Sequence, residues 1–230
     1  MGDRYWLWVG ARLLVGVVIV GWAFSYLNTN GSGEKEFQKT LDAMKQVHSF
    51  RATFLAAPGT QQNQMLWEVD CNRDLLHYQW HVSDTNSSSE LNQEQLHVGY
   101  KQFDRQTDGS WVPAKYSSGP VAKGICSNLS QGNDTNVFPP IATMIRRGII
   151  QKGDKKTVNG VRCREWLVTL KAGRGLEHDT VCLGLDDHLP YEMTVDWEHS
   201  HSAYSDYNAA LQIDAPDAAL RPASTNGGSN

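Results

Sequence analysis

Residues 65–82, MLWEVDCNRDLLHYQWHV, contain two runs in which large apolar side chains occupy every second position. Successive side chains of an extended strand point to opposite faces, so each run predicts a strand with one apolar and one polar face. The apolar members of the first run are Met65, Trp67, Val69 and Cys71, and those of the second are Leu76, Tyr78, Trp80 and Val82. The stretch therefore predicts two amphipathic strands.

The segment before these strands changes its period from helical to extended. Over Glu34–His48 the apolar residues recur at spacings of three and four, which predicts a helix with one apolar stripe. The members of that stripe are Phe37, Leu41, Met44 and Val47. From Phe50 to Ala56 the period becomes two, which predicts the first strand of the sheet.

The segments after residue 82 predict further strands, one short helix and two loops. TNSSSELNQ (85–93) is polar and predicts a loop, and LHVGYKQFDR (96–105) and GSWVP (109–113) predict two strands across a turn at Thr107-Asp108-Gly109. Pro139 and Pro140 open a predicted helix, IATMIRRG (141–148). The connection 117–136 is rich in Gly, Ser and Asn, and loops of that length are usually functional or mobile. The last predicted strands cover 149–152, 161–170, 179–185, 191–200 and 204–214.

These elements predict a mainly β (α+β) domain of nine or ten antiparallel strands and two short helices. Two helices are too few to cover the apolar face of so wide a sheet, so an apolar pocket is expected between sheet and helices. Ordinary core packing is the competing interpretation for any single inward residue. The inward candidates are Phe50, Phe54, Trp67, Val69, Tyr78, Trp80, Trp166, Val168, Met193, Val195 and Trp197.

Four cysteines predict two disulfides, because an even count in an exported domain is typical of bridged pairs. Cys163 and Cys182 lie on two runs joined by the Gly-rich KAGRGLEH, so a hairpin centred near residues 172–173 would place them directly opposite. Cys71 and Cys126 then remain for the second bridge. Zinc is the alternative, although no C-x-x-C spacing is present.

Tyr5–Leu27 is a 23-residue, mostly apolar stretch, long enough to cross a bilayer core of about 30 Å. Arg4 and Arg12 keep its start on the cytoplasmic side, so the rest of the chain faces the periplasm from the inner membrane. A cleaved signal peptide is the alternative, and it would leave a free periplasmic protein. The predicted organisation is an anchor or signal segment (1–27), a linker (28–33), a domain (34–216) and a disordered tail (217–230).

The charge of the exported part argues against nucleic acid as a partner. Without Asp3, Arg4 and Arg12 the chain totals leave 19 basic and 24 acidic residues, a net charge of −5. Nucleic-acid-binding domains concentrate positive charge instead. About 200 residues are enough for one domain with a core of its own.

Four segments resemble the LolA-like family, the outer-membrane lipoprotein carriers and their relatives. LDAMKQVHSFRATF (41–54) is similar to the helix and first strand of that family, and 65–82 to its second and third strands. HVGYKQFDRQTDGSW (97–111) resembles the next hairpin, and YNAALQIDAP (207–216) resembles the closing strand with its proline.

The resemblance implies an open half-barrel, capped by helices, whose apolar hollow shelters acyl chains of lipids or lipoproteins. Arg73 lies one residue from the position of a family arginine that helps to hold the lid, and the proline that commonly follows is Asp74 here. Typical carriers are free in the periplasm and lack these four cysteines. An anchored version would receive, hold or sense a lipid.

The sequence offers little for catalysis. His199 and His201, at i and i+2, are predicted to share a strand face with Trp197 and could bind a metal, but spacing supplies no third ligand. His77 and His81 are predicted on the solvent side of their strand. No nucleophile motif is present. The prediction is a non-enzymatic, cofactor-free carrier or receptor that is tethered to the membrane and binds acyl chains of lipids or lipoproteins. The alternatives are a lipid sensor acting through a membrane partner and a metal hydrolase using His199 and His201.

Overall fold

The computed structural model describes residues 31–56, 61–84, 90–115, 119, 121–133, 137–172, 175–196 and 199–216. The predicted anchor, the predicted tail and Trp197 lie outside these residues. Among the helices that the structure describes, none combines the length and apolar character needed to cross a bilayer.

Eleven antiparallel strands form one open sheet, in the order β6-β5-β4-β3-β2-β1-β11-β10-β9-β8-β7. Nearly every strand pairs with its neighbour in sequence, and the pairing of β1 with β11 joins the N-terminal and C-terminal halves. The predicted mainly β, open antiparallel fold is confirmed. The strands are β1 (Ser49–Ala56), β2 (Gln61–Asp70), β3 (Leu75–Asp84), β4 (Glu90–Val98), β5 (Lys101–Arg105), β6 (Trp111–Pro113), β7 (Ile149–Val158), β8 (Val161–Ala172), β9 (Gly175–Gly184), β10 (Pro190–Val195) and β11 (Ser200–Ser205).

In the part of the domain that the structure describes, three helices, one more than expected, pack on the concave face of the sheet: α1 (31–44), α2 (Val121–Gln131) and α3 (Ile141–Arg147). α1 starts inside the predicted linker. α2 corrects the prediction of a loop over 117–136. Its apolar residues Ala122, Ile125 and Leu129 are buried at helical spacing, but Gly, Ser and Asn between them weaken that pattern in the sequence.

Several strand predictions were wrong in their boundaries, including those for β7, which extends to Val158, and β9, which begins at Gly175. β4 begins at Glu90, inside the segment predicted as a polar loop, and it turns into β5 at Gly99, whose φ of +57° suits glycine. The strand predicted over 191–200 ends at Val195. The segment predicted as a strand over 204–214 leaves the sheet after Ser205 and crosses its convex face, where Leu211 and Ile213 pack on Leu96.

Both predicted disulfides, Cys71–Cys126 and Cys163–Cys182, are present. The expected register of the second is corrected by two residues. Cys163 lies opposite Gly184 and Cys182 opposite Glu165, so the bridge runs diagonally between β8 and β9 with Cα atoms 5.6 Å apart.

The convex face carries a network of ionisable side chains. Glu68 Oε1 accepts a hydrogen bond of 2.6 Å from Arg51 Nη2, and Glu68 Oε2 lies 2.7 Å from His77 Nδ1. His77 Nε2 lies 2.8 Å from Glu94. His77 is thus on the predicted face, although neighbouring carboxylates and the crossing C-terminal segment enclose it.

Because of two carboxylates on the convex face, we expect the stability of the fold to decrease in acid. Burial raises the pKa of Glu68, but hydrogen bonds from His77 and Arg51 outweigh it, so the pKa lies below its usual value. The pKa of Asp70 is also lowered, because burial is outweighed by bonds from Arg73. Groups with lowered pKa values stabilise the fold above the pKa of the unfolded chain, near 4, and this stabilisation is lost as the pH falls through the folded-state values.

We therefore expect the urea midpoint to be nearly constant above about pH 5 and to fall below about pH 4. Glu68→Gln is expected to be less stable at pH 7 and to lose stability less steeply in acid. Glu34→Gln, at an exposed position of α1, is the control for removal of one carboxyl group. An unchanged acid slope in Glu68→Gln would contradict the assignment.

Candidate functional site: an apolar cavity on the concave face

A cavity of about 560 Å³ lies between the concave face of the sheet and the segment that leads into α3. Its size falls within the range of roughly 300–1,000 Å³ that is usual for ligand pockets. Its floor comes from seven strands of both halves of the sheet, and its cover comes from residues 137–140. The lining residues are Phe54, Met65, Trp67, Tyr78, Val137, Phe138, Pro140, Leu170, Glu177, Asp179, Met193, Val195, Ser200, Ser202 and Tyr204.

The β1–β11 pairing places this cavity at the seam of the two halves. Phe54 on β1 stands opposite Met65 on β2 and opposite Ser202 on β11. Ser202 in turn stands opposite Met193 on β10. These residues share one face because directly paired residues of an antiparallel ladder point the same way. The register therefore delivers side chains from distant parts of the sequence to one hollow.

Aromatic rings form the wall on the β2–β3 side and the cover. Trp67 and Tyr78 are cross-strand partners whose ring centroids lie 4.5 Å apart. Phe138 in the cover packs on Tyr204, with centroids 4.6 Å apart, and edge to face on Phe50 at 4.7 Å. Such pairs add roughly 0.5–1.5 kcal/mol beyond area burial. The cover is therefore held by stacking on the core, while Trp67 and Tyr78 face the hollow.

The polar groups of the cavity lie on β9 and β11. Glu177 and Asp179 contribute carboxylates, and Ser200 and Ser202 contribute hydroxyl groups. Burial raises the pKa of both Tyr78 and Tyr204, so these phenols are neutral near pH 7. The hollow is mainly apolar with a small polar side, the usual composition of a site that holds an amphipathic ligand.

The residues predicted from the sequence as cavity lining divide into four groups. Five line the hollow: Phe54, Trp67, Tyr78, Met193 and Val195. Four lie in the closed core with at most 4% of their surface exposed: Phe50, Val69, Trp166 and Val168. Trp80 stands farther along the same face of β3, opposite Met65 and Gln93, and lines a separate, more polar groove. Trp197 lies outside the described residues.

Sequence reasoning missed the cover of the cavity. Val137 and Phe138 precede Pro139 and Pro140 and were included in no predicted element. The signal that could have found them is an apolar pair directly before a helix start, the pattern that fixes the angle at which a chain enters a helix. Leu170 and Tyr204 were inside predicted strands but were not singled out.

α2 is held against the β2–β3 turn by a disulfide and a cap. Cys126 in the helix is bridged to Cys71 just after β2. Asp74 in the same turn accepts a 3.1 Å hydrogen bond at Oδ1 from the backbone N–H of Lys123, in the first turn of α2. This is a capping interaction supplied from outside the helix. The departure from the family pattern at Asp74 therefore fastens α2.

Arg73 lies against the C-terminal segment. Its Nε donates to Asp70 Oδ2 at 2.6 Å, and its Nη2 donates to the carbonyl oxygen of Leu211 at 2.6 Å. Its neighbour Asp74 makes the contact with α2, while the lid contact that the resemblance implied for Arg73 stays a prediction.

We expect Asp74→Ala to lower the free energy of unfolding by about 1–2 kcal/mol, because it removes the cap and places alanine at a φ of +54°. Asp74→Asn keeps an acceptor and tolerates that backbone, so its loss should be less than half as large. Urea unfolding measures the loss in free energy of unfolding for each variant. Hydrogen exchange of the first amides of α2 shows whether that loss arises at the start of this helix. Equal losses in both variants would contradict the cap.

The histidines proposed for a metal do not come together. His199 lies in the turn after β10 with a φ of +47°, whereas His201 on β11 lies 2.8 Å from Glu192 on the convex face. The expectation that both histidines share a face with the inward residues Met193 and Val195 was wrong for His201, because the turn interrupts the strand and resets its alternation. Within the described parts of the chain, no cluster of His, Cys, Asp or Glu could hold a metal ion.

No family model and no curated protein sequence matches the chain. Solved structures do. LprF from Mycobacterium bovis superposes with a TM-score of 0.57 at 13% identity, over 81% of this chain and 97% of that chain. MucB, solved in complex with MucA(peri), has a TM-score of 0.44 at 13% identity, over 81% of this chain and 59% of MucB. A lipoprotein-sorting protein domain from Vibrio parahaemolyticus has a TM-score of 0.28 at 8% identity, over 76% of this chain and 90% of that domain.

The similarity to LprF bears on the fold, whereas the other two are too distant to bear on it. LprF has a LolA-like fold, and the match covers nearly the whole length of LprF. The resemblance that the sequence predicted is therefore confirmed at the level of the fold: the domain is a LolA-like open antiparallel half-barrel.

Proposed function

We propose that this domain binds acyl chains of a lipid or lipoprotein in the concave cavity, at the periplasmic side of a membrane to which residues 1–27 anchor it. One observation carries the proposal, namely that the 560 Å³ hollow is floored by apolar and aromatic side chains from both halves of the sheet. The fold supports the proposal as well, since a half-barrel leaves its concave face open wherever helices do not cover it.

Burial of hydrocarbon supplies the binding energy. Each buried methylene contributes about 0.8 kcal/mol, so a dozen buried carbons contribute on the order of 10 kcal/mol before the costs of ordering and association are subtracted. No covalent step is part of the proposal. The carboxylates and hydroxyl groups on β9 and β11 orient the polar end of the ligand.

Entry of the ligand requires movement of the cover. α2 is tethered by Cys71–Cys126 and by Asp74, whereas Phe138 in the 137–140 segment packs on the rings of Phe50, Tyr204 and Tyr207 without a covalent link. We therefore propose that residues 137–140 and α3 open, while α2 stays in place. Hydrogen exchange is expected to be faster at Val137, Phe138 and the amides of α3 than in α2, and full protection of α3 in the ligand-free protein would contradict this.

The proposed function predicts a co-purified lipid. The full chain, purified from membranes in mild detergent, is expected to carry an acyl-bearing molecule in native mass spectra at up to one per chain, and its mass should appear in an organic extract. Unfolding in urea before detergent exchange should remove it. A protein that carries no lipid, and that takes up no fluorescent fatty acid after delipidation, would contradict the proposal.

A further inference from the structure

We propose that the segment Arg146–Ile149, where α3 passes into β7, rests on the anionic surface of the same membrane that residues 1–27 cross, so that the rim of the cavity lies at that membrane. This inference rests on the proposed anchoring and acyl-chain binding. It adds a contact surface and a partner, an anionic lipid bilayer.

Chain length ties this part of the domain to the bilayer. The part of α1 that the structure describes starts at residue 31, four residues after the end of the apolar stretch at Leu27. Four residues span at most about 14 Å, and two further residues of helix add about 3 Å. Gly33 is therefore within about 17 Å of the membrane boundary.

Gly33 lies directly against the start of β7. A Cβ added to Gly33 would lie 2.6 Å from the side chain of Ile150, so the two backbones touch at this point. Ile150 is the third residue after the end of α3, and a strand advances about 3.3 Å per residue. Arg147 thus lies within about 10 Å of Ile150 along the chain, and its own side chain extends farther.

The junction of α3 and β7 has the composition of a membrane-surface contact. Arg146 and Arg147 are exposed in its last turn, and Ile149 keeps 38% of its surface exposed. Basic side chains close to an apolar one suit an anionic headgroup layer. The net charge of −5 of the exported part repels such a surface elsewhere, so attraction is confined to local basic patches of this kind.

The same segment borders the cavity. A Cβ on Gly148, the residue that follows Arg147, would lie 2.9 Å from Val168 and 3.4 Å from Leu170. Leu170 lines the hollow, and Pro140 at the opposite end of α3 lines it too. α3 therefore lies along the rim. A membrane contact at its end would let an acyl chain pass between bilayer and cavity with little exposure to water.

The test uses the full chain reconstituted in phosphatidylcholine vesicles, with or without phosphatidylglycerol, that contain a headgroup-photoreactive lipid. After illumination and peptic digestion, lipid adducts are expected on peptides covering 146–151 in the anionic vesicles. Arg146→Ala/Arg147→Ala should reduce those adducts on the order of tenfold, since each arginine near an anionic surface contributes several-fold to the contact. Raised salt should do the same.

A matched pair of basic residues at the far part of the β7–β8 hairpin gives the control. Lys155→Ala/Arg162→Ala removes the same charge from exposed positions and should leave the adducts on 146–151 unchanged. Adducts concentrated on 153–164, or spread evenly over the domain, would overturn the proposal, as would an unchanged pattern in the Arg146/Arg147 variant.

Acyl-chain binding is measured on the same protein preparations in detergent, before they are reconstituted, because no bilayer surface competes there. Adducts on 146–151 in a protein that binds no acyl chain would refute the proposed function and support the contact surface. Bound lipid without adducts on 146–151 would refute the contact surface alone. The urea midpoint of each variant confirms that the fold is intact.

Discussion

Val195→Trp is expected to weaken acyl-chain binding on the order of 100-fold while the fold stays intact. Val195 on β10 lines the cavity opposite Ser200 and Asp179, and an indole in place of its isopropyl group would occupy part of the hollow. If the ring excludes about four methylenes, the loss is about 3 kcal/mol, which corresponds to roughly two orders of magnitude in Kd. Titration of the delipidated protein with a fluorescent fatty acid measures the change.

Thr194→Trp is the matched control for this variant. Threonine and valine have nearly the same shape, and Thr194 is the adjacent residue of β10, half-buried on the convex face opposite His201. It receives the same indole but is separated from the cavity by the sheet, so its Kd should stay within a factor of about three of wild type. An equal loss in both variants, or no loss in Val195→Trp, would show that acyl chains bind elsewhere.

The sequence predicts which face of the sheet each strand residue occupies. It does not predict whether an inward residue lies in the closed core or lines the cavity. Phe50 and Phe54 alternate on β1 and both point to the concave side, as predicted. Phe138 covers Phe50 and closes it into the core, whereas Phe54 lines the hollow. Period two reports the side of the sheet, while the difference between core and cavity depends on Phe138, which lies 88 residues after Phe50 in sequence.

Polar composition hid two elements. β4 carries Glu, Asn and Gln on both faces along its first half, so it lacks the apolar alternation that predicts a strand. Its backbone nevertheless pairs with β3 from Leu75 to Ser83. α2 was missed for a similar reason, because a disulfide and an outside cap supply stability that its sequence does not show. In both cases partners distant in sequence stabilise the element.

The sequence could locate only part of the site, because the site lies where β1 pairs with β11, and that pairing is set by the order of strands in the sheet. The sequence indicated that aromatic residues of β2 and β3 face inward, and the structure places Trp67 and Tyr78 at the hollow. The pairing of β1 with β11 brings Ser202 and Tyr204 beside them across about 130 residues of sequence. Contacts of this range follow from the order of strands in the sheet, which alternation within a strand does not determine.

Of the two disulfides, Cys71–Cys126 is expected to stabilise the protein more, so its removal should lower the free energy of unfolding by the larger amount. Its ends are 55 residues apart in sequence, against 19 for Cys163–Cys182. In the chain-entropy model, the loops that they close correspond to about 4 and about 3 kcal/mol of stabilisation, respectively. Urea unfolding of Cys71→Ser/Cys126→Ser and of Cys163→Ser/Cys182→Ser, both without residues 1–27, measures these losses.

The two variants should also differ in where the structure loosens. Cys163–Cys182 links strands that are already paired over ten positions, so its removal should leave hydrogen exchange in β8 and β9 nearly unchanged under native conditions. Cys71–Cys126 fastens α2, which beyond the bridge keeps the Asp74 cap and the packing of residues such as Ile125. Amide exchange over 121–131 should therefore accelerate at least tenfold in Cys71→Ser/Cys126→Ser, since local opening governs it. Unchanged protection of α2 would show that packing alone holds the helix.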